Sequence, residues 1–252
     1  MIREHLFHKR APADPMFRWR GGDVSRLEAL SDAVFAFALA LLFISQGAPD
    51  SVYELWRIFR EFPAFAITFA LLLMVWYYHY KFFRRYGLED LPTIFLNTLL
   101  LFIVLFYVYP LKFLFTLLWQ GMILGDAFPN NVPPGDELGQ YVVNHGMEFA
   151  TFIYSAGVVG IFGTLALMNC YAWTQREKLE LDELERFLTK AAIRTDLIST
   201  GVGVASCLIV AVGLPPQWGG MVYFAMPVAH GINGYINGNK AERLQAQLES
   251  AD

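Results

Sequence analysis

The sequence predicts an all-α integral membrane protein with six transmembrane helices per chain and both termini on the cytoplasmic side. Three observations carry this. Hydrophobic residues make up 56% of the 252 residues and charged residues only 17%, where soluble domains average about 25% charged. Six stretches, at 26–46, 63–83, 92–111, 149–173, 193–213 and 218–237, are apolar over the roughly 20 residues that a helix needs to cross about 30 Å of hydrocarbon. Lysine and arginine gather on one side of those stretches, as the cytoplasmic loops of membrane proteins require.

The chain divides into a cytoplasmic tail (1–25), a six-helix membrane domain (26–237) and a second cytoplasmic tail (238–252). The first tail holds Arg3, Lys9, Arg10, Arg18 and Arg20 without an apolar run of signal-peptide length, so it reads as a retained tail. Ser25-Arg26-Leu27-Glu28 fits a capping box for the first span. Gly47 and Pro49 stop that span. The second and third spans are joined through Lys81, Arg84 and Arg85, and Tyr109-Pro110 ends the third. Between the fourth and fifth stand Arg176, Lys178, Arg186 and Lys190. Leu214-Pro215-Pro216-Gln217 joins the fifth and sixth as a tight hairpin, and the Gly- and Asn-rich stretch from His230 to Asn239 is expected to unwind the sixth at the cytoplasmic surface. Lys240 and Arg243 follow in the tail, whereas the opposite side carries only Arg57, Arg60 and Lys112.

Tryptophan follows the same map. Trp19, Trp56, Trp119, Trp173 and Trp218 fall near span ends, where the indole ring favours the headgroup level. Trp76 lies within the second span. The outer connection, about 112–148, is acidic through Asp126, Asp136, Glu137 and Glu148. It reads either as a solvated loop or as a vestibule that concentrates cations. A net charge of −4 gives no footprint for nucleic acid. Cys170 and Cys207 lie inside apolar runs and behave as small hydrophobes, so neither a disulfide nor a metal site is implied.

Polar residues within the spans carry the functional signal. Asp32 sits less than two turns from a helix start, where the dipole favours a negative charge. Arg26 suits a positive-inside anchor. Residues six apart differ by about 240° around a helix, so the two do not pair on one face. If desolvated, each needs a partner on another helix or subunit. Trp76 and His79 are three apart on one face of the second span and offer such partners. The bland alternative is an interfacial histidine beside a packed tryptophan.

Arg26-x-x-x-Leu30-Ser31-Asp32-Ala33-Val34-Phe35-Ala36 resembles the R-x-x-x-F-S-D-G-V-F-A signature of the transmembrane protein 175 family of lysosomal and bacterial potassium channels. Trp76-x-x-His79, Leu96-Asn97 and Tyr109-Pro110 extend the likeness, and Leu30 departs from the usual Phe. The resemblance implies a homotetramer in the bacterial plasma membrane, conducting potassium in preference to other monovalent cations, with lipid around it and no bound cofactor. It implies that four copies of the first helix line a pore whose constriction is hydrophobic, at Phe37, Ala40, Leu41 and Ile44. Family members usually carry Ile or Leu at the position of Phe37, and often Thr at that of Ala40. Arg26, Ser31, Asp32, Trp76, His79 and Asn97 are then a structural network behind the pore helix.

Read without the family, Leu30, Val34, Phe37, Leu41 and Ile44 repeat at 4-3-4-3 spacing, a seam for helices around an axis or ordinary helix contact in lipid. Thr200-Gly201-Val202-Gly203-Val204 lacks the pore helix and Tyr-Gly of a carbonyl filter, so these glycines, like Gly157, Gly160 and Gly163, read as close helix contacts. A secondary transporter would show broken helices meeting near the midplane, but Pro and Gly here mostly mark span ends. No nucleophile–base or metal constellation of an intramembrane enzyme appears. A non-conducting scaffold stays open as the other alternative.

Overall fold

The structure is a computed structural model and describes residues 16–119 and 136–249. Helices account for nearly all of it: α1 (Arg26–Ile44), α2 (Val52–Tyr86), α3 (Leu91–Leu118), α4 (Glu137–Asn144), α5 (Gly146–Thr174), α6 (Glu183–Ala211), α7 (Pro216–Met221), a 3-10 turn (Val222–Phe224) and α8 (Ala225–Glu249). No strand occurs among the described residues. Five helices (α1, α2, α3, α5 and α6) are long and apolar enough to cross a membrane.

Local chemistry sets the helix starts. Ser25 and Glu28 form the expected capping box at α1. Asp182 and Glu185 form a second one at α6, and Ser51 and Asp90 cap α2 and α3. Each cap satisfies an amide that has no intrahelical partner. Gly87, at φ 58°, closes α2 in a left-handed conformation, which costs a Cβ-free residue nothing.

Three expectations need correction. The second span was expected from residue 63, but the Ser51 cap starts α2 at Val52 and Pro63 lies inside it. The third was expected to end at Tyr109-Pro110, but α3 runs on to Leu118. Proline removes one ladder bond and crowds the carbonyl four residues back, which bends a helix but ends it only where nothing else holds it. Here Tyr154 of α5 donates to the Pro110 carbonyl, and Tyr107 donates to Ile153 O at 2.9 Å. The stretch from His230 to Asn239 does not unwind. Asn237 Nδ2 donates to Asn233 Oδ1 at 2.8 Å, and Asn233 Nδ2 to Thr195 Oγ1 of α6 at 3.0 Å. His230 Nε2 lies 2.9 Å from Ser199 Oγ. These contacts offset the weak helix propensity of Gly and Asn. The break falls earlier, at Val222–Phe224, so the stretch expected as the sixth span is α7, a 3-10 turn and most of α8.

The apolar core is built by one face each of α1, α2, α3 and α5, with Phe35, Leu42, Leu72, Leu100, Val104 and Met168 all buried. The glycines expected at helix contacts differ in use. A Cβ on Gly157 would land 1.9 Å from the Tyr107 ring, and one on Gly203 would meet Val159 at 2.9 Å. Gly201 faces open space.

The basic connections meet at one end of the bundle. Phe17 is buried, with the Tyr86 ring edge-on at 5.6 Å and the Arg85 guanidinium 4.7 Å from its centroid. Arg20 pairs with the buried Glu185 carboxylate and donates to Leu179 O at 2.7 Å. Arg20 N and Gly21 N both donate to Arg84 O at 3.1 Å, and Arg84 reaches Glu28 at 3.5 Å. Residues 17–22 thus strap the start of α1 to the α2–α3 turn and to the start of α6. At the same end Asp90 accepts from Thr93 and from Tyr171. Partial burial pulls the Asp90 carboxyl upward, but the Thr93 and Tyr171 hydrogen bonds outweigh it and hold the group below its ordinary value. Residues 1–15 and 120–135 lie outside the described residues, and with them Arg3, Lys9, Arg10 and Asp126.

Candidate pore helix and the polar network behind it

α1 has two faces of different character. Glu28, Ser31, Phe35, Ala38 and Leu42 are buried, at the 3-4-3-4 spacing of a helix face turned to its own protomer. On the opposite face Leu30, Phe37 and Ile44 are exposed, at 58%, 56% and 67%. Ala33 and Ala40 are exposed between them, and Val34 and Leu41 are half-buried on the flank. The open face therefore centres on Leu30, Ala33, Phe37, Ala40 and Ile44. Ala33 was not singled out by the seam, which followed large side chains only.

Behind α1 a polar chain joins three helices. Asn97 Nδ2 of α3 donates to Ser31 Oγ of α1 at 2.9 Å, and Ser31 Oγ donates to Leu27 O at 2.8 Å. His79 Nε2 of α2 lies 2.7 Å from Asn97 Oδ1. Because the amide uses its NH2 on Ser31, its oxygen faces His79, and this assigns the Nε2–H tautomer. His79 Nδ1 is buried without a hydrogen-bond partner among the described residues. All three side chains are essentially inaccessible, and Phe35 and Phe83 close over the imidazole at 5.5 and 4.7 Å.

Asp32 forms a separate pair. It is exposed in the protomer and accepts from Trp76 Nε1 at 2.8 Å. Trp76 stacks on Tyr80 at 5.5 Å, and the Arg84 guanidinium lies 5.6 Å from the Tyr80 ring. Arg26 is exposed and has no hydrogen bond or ion pair within the protomer among the described residues. The six residues expected as one network are thus a buried triad, a surface pair and an arginine pointing elsewhere. Cation partners for the acids at this end come instead from Arg84 and Arg20.

Two further polar contacts lie away from α1. Asn169 Nδ2 donates to the buried Asp196 at 2.9 Å. Ser155 donates to Ser206 at 2.7 Å and accepts from Tyr223 at 3.0 Å. The sequence signal for them was weak, since each is a single polar residue in an apolar span. No group of three potential metal ligands occurs among the described residues.

Residues 26–107 match the family model described as "Endosomal/lysosomal potassium channel TMEM175". A protein of Marivirga tractuosa named "Potassium channel" is 36% identical over 247 residues, which is 95% of this chain and 98% of that one. The chain belongs to the TMEM175 family. A potassium channel of Chamaesiphon minutus is 31% identical over 96 residues, 35% of this chain and 47% of its own. Among solved structures, a crystal structure of a variant of the potassium channel MtTMEM175, in complex with a nanobody–MBP fusion, superposes with a TM-score of 0.75. It is 35% identical and covers 90% of this chain and 98% of its own. This TMEM175 family member is an all-α membrane protein of a channel family and not an enzyme. Arg26, the triad, the Asp32–Trp76 pair and the open face of α1 all fall inside the residues matched by the family model.

Proposed function

We propose that this TMEM175 family protein is a potassium-preferring cation channel of the bacterial plasma membrane, assembled from four copies around a central α1. The observation that carries the reading is the division of α1. Its back is tied to α2 and α3 by Ser31, Asn97 and His79, while Leu30, Phe37 and Ile44 face away from the protomer. A helix that packs by one face and leaves the opposite face apolar is suited to meeting copies of itself. Ala29, Ala33, Ala36 and Ala40 are exposed on the same side and allow close approach of helix backbones. Both solved and curated relatives carry the name potassium channel.

In this reading Phe37, Ala40, Leu41 and Ile44 form the hydrophobic constriction, and potassium passes without a bound cofactor. α7, the 3-10 turn and α8 supply the sixth crossing, and both termini lie in the cytoplasm. A ring of four phenyl groups at Phe37 is bulkier than the aliphatic rings usual in the family, and a narrow apolar ring sheds water. Phe37 therefore keeps conductance low. The test is ion-gradient-driven flux in liposomes holding purified protein, with potassium and sodium gradients compared. No flux above empty liposomes under either gradient, from protein that is tetrameric by mass, would leave a scaffold as the reading. Flux driven only by a coupled second ion would make it a transporter.

A further inference from the structure

A groove of about 430 Å³ opens on the lipid side of α5, between α3 and α6. Its floor is made by Gly160 and Gly163, and its walls by Ile103, Leu167, Cys170 and Leu197. The depth comes from Gly163, where a Cβ would have only Thr200 near it, at 3.8 Å, while a Cβ at Gly160 would press on the Ile103 wall at 3.4 Å. Leu167 and Leu197 are exposed at 55% and 52%, so the groove is open to acyl chains.

The groove continues into a cationic, aromatic cradle at the basic end of the bundle. Along α5 the positions 160, 163, 167 and 170 share one face, and Trp173 comes one turn later. Along α6 Leu197 is preceded on its own face by Arg194 and Lys190. The two faces converge on Trp173. Lys190 Nζ lies 4.5 Å from its ring centroid, and the Arg176 guanidinium 5.0 Å. Glu177 engages Arg176 and Arg186, at 3.5 and 3.0 Å. Lys190 and Arg194 are exposed and have no carboxylate partner among the described residues.

We propose that this groove and cradle form a binding site for one anionic phospholipid, in the leaflet that meets the basic end of the protein. An acyl chain fills the groove over Gly160 and Gly163, Trp173 sits at headgroup level, and Lys190 and Arg194 hold the phosphate. Charge complementarity selects this occupant: an apolar slot alone accepts any chain, but two uncompensated cations at its mouth select a negative headgroup. Two ordinary positive-inside anchors would need no groove beneath them. A second protein copy would have to bury both cations with no acid shown to meet them.

The test is native mass spectrometry of the purified, delipidated full-length protein titrated with phosphatidylglycerol or with phosphatidylcholine of the same chains. Each cation near an anionic headgroup is worth about fivefold, so with two of them the wild type retains phosphatidylglycerol roughly 25-fold better. Lys190→Gln/Arg194→Gln abolishes that preference, while Lys240→Gln/Arg243→Gln in the exposed C-terminal part of α8 keeps it. Gly163→Leu, which fills the floor, lowers retention of both lipids. Inorganic phosphate at millimolar concentration does not displace the bound phosphatidylglycerol. Equal retention of the two lipids by the wild type overturns the proposal, and so does a preference lost equally in the Lys240/Arg243 control. Displacement by inorganic phosphate reduces the cradle to an anion site and overturns the lipid. Retention of neither lipid means that the groove is covered by a neighbouring subunit.

Discussion

Asn97→Leu is the sharpest test of the architecture behind α1, because the side chain is fully buried and makes two bonds to two other helices. The two bonds are not equivalent. Ser31 keeps its own donor bond to Leu27 O when Asn97 is lost, so only a spare lone pair goes unused. His79 Nε2–H becomes a buried donor with no partner, and Nδ1 of the same ring has none already. An orphaned buried donor costs about 1–3 kcal/mol. Interhelical hydrogen bonds in membranes average about 0.6 kcal/mol and reach about 1.7, because the unfolded chain in lipid also finds partners. The His79 side therefore dominates, and the expected loss is about 2 kcal/mol. Ser31→Ala strands the Asn97 NH2 as a buried donor in the same way and should cost a comparable amount.

The measurement is equilibrium unfolding in mixed micelles. It includes the double variant His79→Phe/Asn97→Leu, which removes the orphan donor while keeping an aromatic ring against Phe35 and Phe83. The double variant should be more stable than the sum of its singles predicts, by about 1 kcal/mol. The potassium-to-sodium flux ratio of the assembled fraction should not change, since the triad lies behind α1. Asn97→Leu within about 0.3 kcal/mol of wild type would refute the reasoning, as would strict additivity in the double variant.

Four further outcomes follow from the same coordinates. Gly157→Ala drives a methyl into the Tyr107 ring, whose hydroxyl is anchored on Ile153. It should cost about 1–3 kcal/mol, whereas Gly201→Ala, facing open space, should be neutral or slightly stabilising in the same thermal melt. Phe37→Ala should raise cation flux and weaken potassium preference, while Phe35→Ala, which is 3% exposed, should lose about 3 kcal/mol of stability instead; the reverse pattern would reassign the pore face. Glu185→Met leaves the half-buried Arg20 without its carboxylate and should destabilise by about 1–3 kcal/mol, with Arg20→Met/Glu185→Met recovering part of the loss. The Asp90 carboxyl, held below its ordinary value, stabilises the fold above the unfolded pKa near 4 and ceases to do so only as the pH falls through its lower folded value. The stability gap between wild type and Asp90→Asn should thus be constant from pH 7 to 5 and close only below about pH 4.

Much of this was legible because helices in lipid announce themselves locally. The Ser25–Glu28 box, the apolar runs and the basic turns each need only a short window of sequence. Helix ends were less legible where distant residues decide them. Pro110 reads as a stop, but two tyrosines hold the bent helix against α5. Asn233 and Asn237 read as helix breakers, but Asn233 finds Thr195 of α6 and Asn237 finds Asn233. The same limit applied to the site. The signature motif marked the right polar residues, but spacing alone does not say which of them meet. Asn97 joined Ser31 to His79, while Arg26 was left outside and Asp32 turned to Trp76.

That separation bears on how α1 is held. The buried triad holds α1 near its start, toward the basic end of the bundle, without a carboxylate or guanidinium, and an ion in lipid is costly. Several ion pairs gather at the basic end. There the strap ties Arg20 to Glu185 and Arg84 to Glu28 just ahead of α1. α1 is thus restrained at its start by ion pairs and along its back by hydrogen bonds, while its far end is held by less. Beyond Leu42 the helix end is held by Ser45, which accepts from Lys112 Nζ at 2.8 Å, and by Phe43, 6.5 Å from Phe65. A helix fixed at one end and along one face moves most at its other end, the level of Ile44. In the tetramer proposed above, the mobile part of the proposed constriction would then lie at Ile44 and the static part at Phe37, one full heptad closer to the strap.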